Sequence, residues 1–182
     1  MLFRQLLAVA VLPFTVAVIV PVWLARRNQV SVAIQADLVT AALAVTGAVT
    51  VVIGLALFTS SLYLFWTRGR GTLAPWDPPR SFVADGPYRY VRNPMISGVI
   101  FILLGESLIL RSWAHAEWTT AFFVLNVIYI PLIEEPMLAA RFGESYATYK
   151  RNVGRFVPRI RPWRPGESHA NGNQRSHHGP YR

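Results

Sequence analysis

The stretch Gly-Pro-Tyr-Arg-Tyr-Val-Arg-Asn-Pro-Met-Ile-Ser-Gly, residues 86–98, decides how this chain is arranged. It follows a polar loop rich in proline and arginine and precedes an apolar run. Pro94 suits the first position of a helix, where its missing N–H costs nothing, and Asn93 before it is a good N-cap residue. Three arginines lie nearby: Arg80, Arg89 and Arg92. The pattern predicts a helix that begins at a membrane surface, where arginines and free backbone N–H groups form a site for an anionic group.

The composition indicates an integral membrane protein. Of its 182 residues 53% are hydrophobic and 15% charged, and the mean hydropathy is +0.33. The absence of cysteine excludes disulfides, thiolate metal sites and cysteine nucleophiles. The net charge of +9 comes from arginines that flank apolar stretches, which indicates topology signals and contact with anionic lipid rather than nucleic acid. The three histidines of the tail have no acids or cysteines spaced as ligands, so no metal site is predicted.

Four apolar stretches are long enough, or nearly so, to cross a bilayer, which takes about 20 residues. They are Leu6 to Leu24, Leu38 to Trp66, about Met95 to Leu110, and about Trp118 to Ile133. We interpret the first as an anchor, because the residues around Ala25 make a poor signal-peptide cleavage site. The predicted fold class is therefore all-α, an integral membrane helical bundle with about four transmembrane helices.

Details within these stretches predict how the helices pack. Small residues in the second stretch favour close helix contact, and Phe65 and Trp66 at its end suit a membrane interface. The small residues are Ala44, Gly47, Ala48 and Gly54. Pro131 is expected to kink or end the fourth helix.

The distribution of basic residues predicts the orientation. The loop from Thr67 to Asn93 holds five arginines, and the segment from Glu134 to the end holds nine lysines or arginines. With four crossings these segments share a side, and the positive-inside rule makes it cytoplasmic. Both termini and the predicted site are then cytoplasmic.

The region after the fourth stretch divides into a helix and a tail. Residues 135–151 carry apolar side chains at helical spacing, which predicts an interfacial C-terminal helix. Residues 162–182 are rich in Pro, Gly, Asn, Ser, His and Arg and are predicted to be a disordered basic tail. The domain assignment is one membrane domain, residues 1–161, followed by this tail.

Several polar residues sit where chemistry is possible. Glu134 and Glu135 end the fourth stretch, and two adjacent acids at a membrane edge are costly unless they are paired. Alone they suit an acidic first helical turn, but an up-down hairpin brings them to the edge where Arg92 lies, which favours a functional reading. Tyr88 and Tyr90 are either interfacial aromatics or walls of a pocket. Glu106, inside the third stretch, is interpreted as reaching toward the far surface.

Arg92-Asn93-Pro94, followed by Gly98 and later by Glu134-Glu135, resembles the signature of a membrane methyltransferase family. That family contains isoprenylcysteine carboxyl methyltransferases and related phospholipid methyltransferases. The resemblance runs from Gly69 to about Arg159. The sequence departs from the pattern at Asn93, where the family usually has His, and at Ile96, where it usually has Tyr.

The resemblance implies methyl transfer from S-adenosylmethionine to a lipid-like or hydrophobic acceptor, such as an isoprenylcysteine-type carboxylate or a phospholipid amine. It implies these cofactor-binding residues: Tyr88, Tyr90, Arg92, Asn93, Pro94, Gly98, Glu134 and Glu135. Arg141 or Arg151 is expected to orient the acceptor. Within the acidic pair we predict that Glu135 binds the cofactor and that Glu134 pairs with an arginine.

Two other functions stay open at this point. A membrane reductase of the related sterol-reductase type would use NADPH, although this chain is short for its larger set of spans. A non-enzymatic membrane protein that keeps the fold is consistent with the departures at Asn93 and Ile96. The expected partners are the lipid bilayer and a hydrophobic or lipidated acceptor, and the oligomeric state stays open.

Overall fold

The computed structural model describes residues 10–30, 37–64, 67–68 and 84–164. Within these ranges the secondary structure is helical, and no strand occurs. A π-helical segment, Ala10–Ile19, leads into helix α1, Val20–Arg27. The longer elements are α2, Leu38–Leu64; α3, Pro94–Leu110; α4, Trp113–Tyr129; and α5, Glu135–Asn152. A 3₁₀ turn, Gly86–Arg89, precedes α3, and a π-helical turn, Ile130–Glu134, joins α4 to α5.

These elements confirm the predicted all-α class and a helical membrane bundle. Two helical stretches are long and apolar enough to cross a membrane: Leu38–Leu64 and Trp113–Asn152. The second has non-helical backbone at Gly143, within α5. The apolar helix Pro94–Leu110 is shorter. The first predicted span is described only from Ala10 onward, and Phe65 and Trp66 lie outside the described residues.

Pro131 does not end the fourth helix. The chain widens into a π turn there, and the backbone N–H of Glu135 donates to the carbonyl of Ile130, five residues back. A proline has no N–H to give and crowds the preceding turn, so the wider turn absorbs it while the helix continues. Helix α5 therefore continues directly from α4.

Helices α2 and α3 pack through two pairs of glycines. A Cβ added to Gly54 would lie 2.6 Å from the carbonyl oxygen of Gly98, and one added to Gly47 would lie 2.8 Å from that of Gly105. Low residue numbers on one helix face high numbers on the other, so the helices are antiparallel. This confirms close helix packing for Gly47 and Gly54, whereas Ala48, predicted with them, is exposed.

The N-terminal segment is held against α4 by polar side chains. His115 is 2% exposed, and its Nε2 lies 3.1 Å from the carbonyl oxygen of Pro21. The indole of Trp118 donates to the carbonyl of Val16 at 3.0 Å. Since buried polar groups need partners, these bonds fix the segment on the bundle.

The residues after α5 fold back on the chain. Residues 153–164, which we call the return segment, lie along residues 84–93 and form three backbone hydrogen bonds of 2.8–2.9 Å with Arg89, Tyr90 and Arg92. Trp163 is 5% exposed and lies in a core cluster with Tyr149 and Val153. The predicted tail boundary at Pro162 was therefore too early, because Trp163 has its core partners at long range in the sequence. Residues 165–182 lie outside the described residues.

Candidate functional site

The start of the third predicted helix agrees with the prediction. Helix α3 begins at Pro94, whose side chain is fully buried. Asn93 occupies the N-cap position, but its side chain makes no capping hydrogen bond. Its carbonyl instead accepts from the backbone N–H and the hydroxyl of Ser97, at 3.0 and 2.9 Å. Asn93 therefore contributes through its backbone.

Glu135 is held by three cations. Its Oε1 lies 2.9 Å from Nη1 of Arg92 and 2.8 Å from Nε of Arg155, and its Oε2 lies 2.7 Å from Nζ of Lys150. The Glu135 side chain is only 3% exposed and that of Arg92 10%. A carboxylate buried to this degree is tolerated only with such partners, so Arg92, Lys150 and Arg155 fix it in place.

The charge state of Glu135 follows from these contacts. Burial by itself would raise the pKa of the carboxyl, but hydrogen bonds from Arg155 and Lys150 and the charge of Arg92 hold it below its usual value. The same hydrogen bond to Glu135 raises the pKa of Arg155. Glu135 is thus a fixed anion whose charge is already compensated.

Glu134 has different surroundings, although it is the adjacent residue. It is partly buried, and no ion pair or hydrogen bond joins its side chain to another residue in the described part of the chain. Burial, and after it the charge of Glu135, raises the pKa of Glu134. One half of the predicted split is therefore wrong, because the arginines bind Glu135 and not Glu134 in the described part of the chain. Which of the two carboxylates binds the cofactor stays a prediction. Neighbours on a helix point about 100° apart, and only Glu135 faces the return segment.

The two tyrosines also separate. Tyr88 is 8% exposed, and its carbonyl accepts from the hydroxyl of Tyr149 at 2.7 Å. Burial raises the pKa of Tyr88. Tyr90 is 39% exposed, and its carbonyl accepts from the backbone N–H of Arg159 at 2.9 Å. Tyr88 therefore lies in the protein interior, whereas the ring of Tyr90 lies at the surface.

Gly98 lies against α2 rather than toward the acidic pair. A Cβ there would lie 2.8 Å from the carbonyl oxygen of Gly54 and 2.9 Å from the backbone nitrogen of Phe58. Helix packing is sufficient to explain why this position is glycine.

Arg141 and Arg151 are exposed on α5 and do not join the Glu135 cluster. The guanidinium of Arg141 lies 5.8 Å from the ring centre of Phe142, and Arg151 lies 3.9 Å from Glu144. The cations that do reach Glu135 besides Arg92, namely Lys150 and Arg155, were missed. Arg155 follows the turn at Gly154, and no spacing rule relates it to a glutamate 20 residues earlier.

A shallow hollow lies at the opposite end of the bundle. Asn28, Arg111 and Trp113 are among the residues that line it, and none of the predicted site residues does. The chemistry-bearing residues converge instead around Glu134 and Glu135. There a fixed, compensated carboxylate adjoins a second carboxylate that no cation of the described residues reaches, an arrangement able to bind a positively charged group.

Comparisons with known proteins indicate the family to which the chain belongs. Residues 43–145 match the family described as phospholipid methyltransferase. The chain is 34% identical over 80 residues to a methanethiol S-methyltransferase of Pseudomonas deceptionensis. That similarity covers 41% of this chain and 27% of the relative, so the chain spans about a quarter of that protein's length. No solved structure matches the chain.

Proposed function

This chain belongs to the phospholipid methyltransferase family, and from that premise we propose that it transfers a methyl group from S-adenosylmethionine to a hydrophobic acceptor at the membrane edge. When bound, this cofactor supplies a methyl group already activated by a sulfonium. The amino acid part of the cofactor carries an ammonium and a carboxylate. The protein therefore has to provide a site for one positive and one negative group, and a path for an apolar acceptor.

The observation that carries the proposal is the half-buried carboxylate of Glu134, which has no cation in the described part of the chain. An ammonium would complete the ion pair that Glu134 lacks and remove the cost of its burial. Glu135 cannot serve in the same way, because three cations already surround it. We assign Glu134 as the ligand of the ammonium and Glu135 as the residue that positions Arg92.

Arg92 is the residue best suited to the negative group. Its Nη1 is bound to Glu135, while its Nε is buried without a hydrogen-bond partner in the described chain. A buried donor of this kind is costly when it is left unpaired, and a carboxylate oxygen is a strong acceptor for it. The backbone N–H groups at the start of α3 also favour the binding of a negative group beside Arg92.

The acceptor is expected to approach from the bilayer. Leu132, Ile133 and Met137 flank the acidic pair, and they are 69%, 46% and 51% exposed. Apolar side chains at this exposure suit contact with lipid or a lipid-like acceptor. A carboxylate acceptor is already ionised at pH 7, whereas an amine or a thiol has to lose a proton before attack. We place the site on the cytoplasmic side because both arginine-rich segments adjoin it.

Calorimetry of the purified protein in nanodiscs tests this proposal. We expect binding of S-adenosylmethionine and S-adenosylhomocysteine and none of NADPH. Glu134→Gln keeps the shape but loses the charge, and we expect it to weaken binding about ten- to a hundredfold. Glu144→Gln removes the same charge from α5 beyond the non-helical backbone at Gly143, at a side chain that is 91% exposed. It is the matched control and should bind as the unaltered chain does.

Two results would contradict the proposal. Binding of NADPH with none of S-adenosylmethionine would favour the reductase alternative. Absence of binding by all three compounds in folded protein would favour a non-enzymatic role.

A further inference from the structure

We propose that the return segment seats its outer surface on an anionic lipid leaflet. The outer surface consists of the exposed apolar side chains Val157 and Ile160 and the exposed arginines Arg161 and Arg164. The proposed occupant is the phosphate-bearing headgroup layer of the bilayer that surrounds the helices. This inference concerns membrane contact and does not depend on the proposed reaction.

The return segment is held firmly from its inner side. Gly154 accepts from the backbone N–H of Arg92 at 2.8 Å, and Arg155 binds Glu135 at 2.8 Å. Farther along, the backbone N–H of Arg159 donates to Tyr90 and that of Trp163 to Arg89, both at 2.9 Å. The turn itself is tight, since a Cβ on Gly154 would lie 2.6 Å from the carbonyl oxygen of Val157. The outward side chains are therefore presented in fixed positions.

Those outward side chains are apolar as well as basic. Ile160 is 98% exposed and Val157 is 78% exposed, although the backbone around them is pinned. Single exposed apolar residues are ordinary on a protein surface, but here two stand between arginines on a rigid segment. Apolar side chains that enter the acyl boundary beside arginines that bind phosphates are the combination found in interfacial segments.

The depth of the segment supports the same occupant. The ring of Phe156 lies 5.6 Å from that of Phe123, centre to centre, and Phe123 belongs to the apolar part of α4. Arg155, the residue before Phe156, reaches Glu135. Glu135 lies 12 residues after Phe123, which is about 18 Å along a helix that rises 1.5 Å per residue. The ring of Phe156 thus reaches the apolar part of α4, while hydrogen bonds with residues 89–92 keep the backbone of the return segment at the end of the bundle where Glu135 lies. On this proposal Val157 and Ile160, which follow Phe156, lie where hydrocarbon meets headgroups.

The absence of cysteine in this chain allows a direct test. A fluorophore sensitive to polarity is attached at Ile160→Cys, and the protein is placed in nanodiscs of neutral phosphatidylcholine or of an equal mixture with anionic phosphatidylglycerol. We expect a blue-shifted emission, quenched by brominated acyl chains, that is stronger with phosphatidylglycerol. Val157→Cys, a second exposed position, should report the same.

Charge variants make the test specific. Arg161→Gln combined with Arg164→Gln should reduce the ratio of inserted to withdrawn probe in the anionic discs by about fivefold per arginine. The matched control is Arg26→Gln combined with Arg27→Gln, which removes the same charge from α1 and should leave the emission unchanged.

Three outcomes would overturn the inference: emission typical of water in both lipids, equal emission with and without anionic lipid, or equal effects of the two double variants. A second copy of the chain is the competing occupant. A blue shift that disappears when each nanodisc holds a single chain would assign the surface to self-association and would also overturn it.

Discussion

Glu134 and Glu135 are adjacent carboxylates with opposite electrostatic surroundings. Glu135 is 3% exposed and neutralised by Arg92, Lys150 and Arg155. Glu134 is partly buried without a cation in the described chain. The pair can be recognised from the sequence, because carboxylates at the end of an apolar helix are costly unless their charge is compensated. It does not identify which carboxylate is neutralised, because Arg155 reaches Glu135 only after the chain turns back at Gly154.

Loss of the Glu135 charge should destabilise the protein. Glu135→Gln leaves Arg92 buried beside two other cations without a counter-charge, and breaking a buried ion pair costs about 3–5 kcal/mol. We place the expected loss of unfolding free energy at about 3 kcal/mol, because Lys150 and Arg155 are partly solvated. Chemical denaturation in detergent micelles measures it. Glu144→Gln should change stability by less than about 0.5 kcal/mol, and an equally small effect of Glu135→Gln would refute the ion-pair account.

The same carboxylate predicts a dependence on pH. The pKa of Glu135 is lowered in the folded state, whereas in the unfolded chain it is about 4.3. Its stabilising contribution is therefore complete above about pH 5 and is lost as the pH falls through the folded pKa. The pKa of Glu134 is raised, so its contribution to stability changes with pH in the opposite direction. The quantity to measure is thus the difference in unfolding free energy between the unaltered chain and Glu135→Gln, which should shrink from pH 6 to pH 3. A constant difference would contradict the assignment.

At the scale of elements, the contact between α2 and α3 fixes where the site forms. Gly54 and Gly98 allow the two backbones to touch, and α3 begins one turn before Gly98, at Pro94. The sequence predicts one half of this contact from the small residues of α2. It does not reveal that Gly98 is the other half, since a glycine in a motif near a proposed site is equally consistent with close approach of a ligand.

Gly98→Ala tests whether this glycine serves helix packing or the close approach of a ligand. Its new methyl group meets backbone atoms at 2.8 and 2.9 Å, so the helices have to move apart. We expect a loss of about 1–3 kcal/mol in unfolding free energy, despite the better helix propensity of alanine. Cofactor affinity per folded molecule should be unchanged. Ala48→Val enlarges an exposed position of α2 and serves as the control. Unaltered stability with lost cofactor affinity would instead return Gly98 to the binding site.

The elements that the sequence predicts best are those specified by local pattern. Pro94 starts a helix because of its own ring, and residues 38–64 form one because they are mostly apolar and carry no charge. At Pro131 the sequence predicts a kink or an end, and the structure has a π turn that accommodates the ring while the helix continues. The prediction failed at Trp163, since a segment rich in Pro and Arg has no periodicity, and the indole is buried by a cluster that includes Tyr149.

At the scale of the whole molecule, the return segment ties the residues that follow α5 to the start of α3. It bonds to the loop before Pro94, packs on α5 through Trp163 and supplies Arg155 to Glu135. The site is therefore assembled from residues as far apart in the sequence as Arg92 and Arg155. We expect its integrity to depend on the presence of Trp163.

Two truncations that differ by two residues test this dependence. Ending the chain after Arg164 should leave stability and cofactor binding nearly unchanged, because the residues removed have no apolar pattern to bury. Ending it after Pro162 removes Trp163, and loss of a buried tryptophan costs about 3–5 kcal/mol. Thermal unfolding in detergent compares the two. Equal melting temperatures would show that Trp163 does not hold the return segment in place.

Transfer of radiolabelled methyl groups from S-adenosylmethionine, in membranes that contain the protein together with extracted lipids and small thiols, tests the central claim most directly. The account predicts label in an organic-extractable or volatile product, inhibited by S-adenosylhomocysteine. Glu134→Gln should reduce it at least about tenfold, and Glu144→Gln should leave it unchanged. Label transferred equally by the unaltered chain and Glu134→Gln would contradict the assigned site. No transfer to any acceptor by folded protein would contradict the methyltransferase function itself.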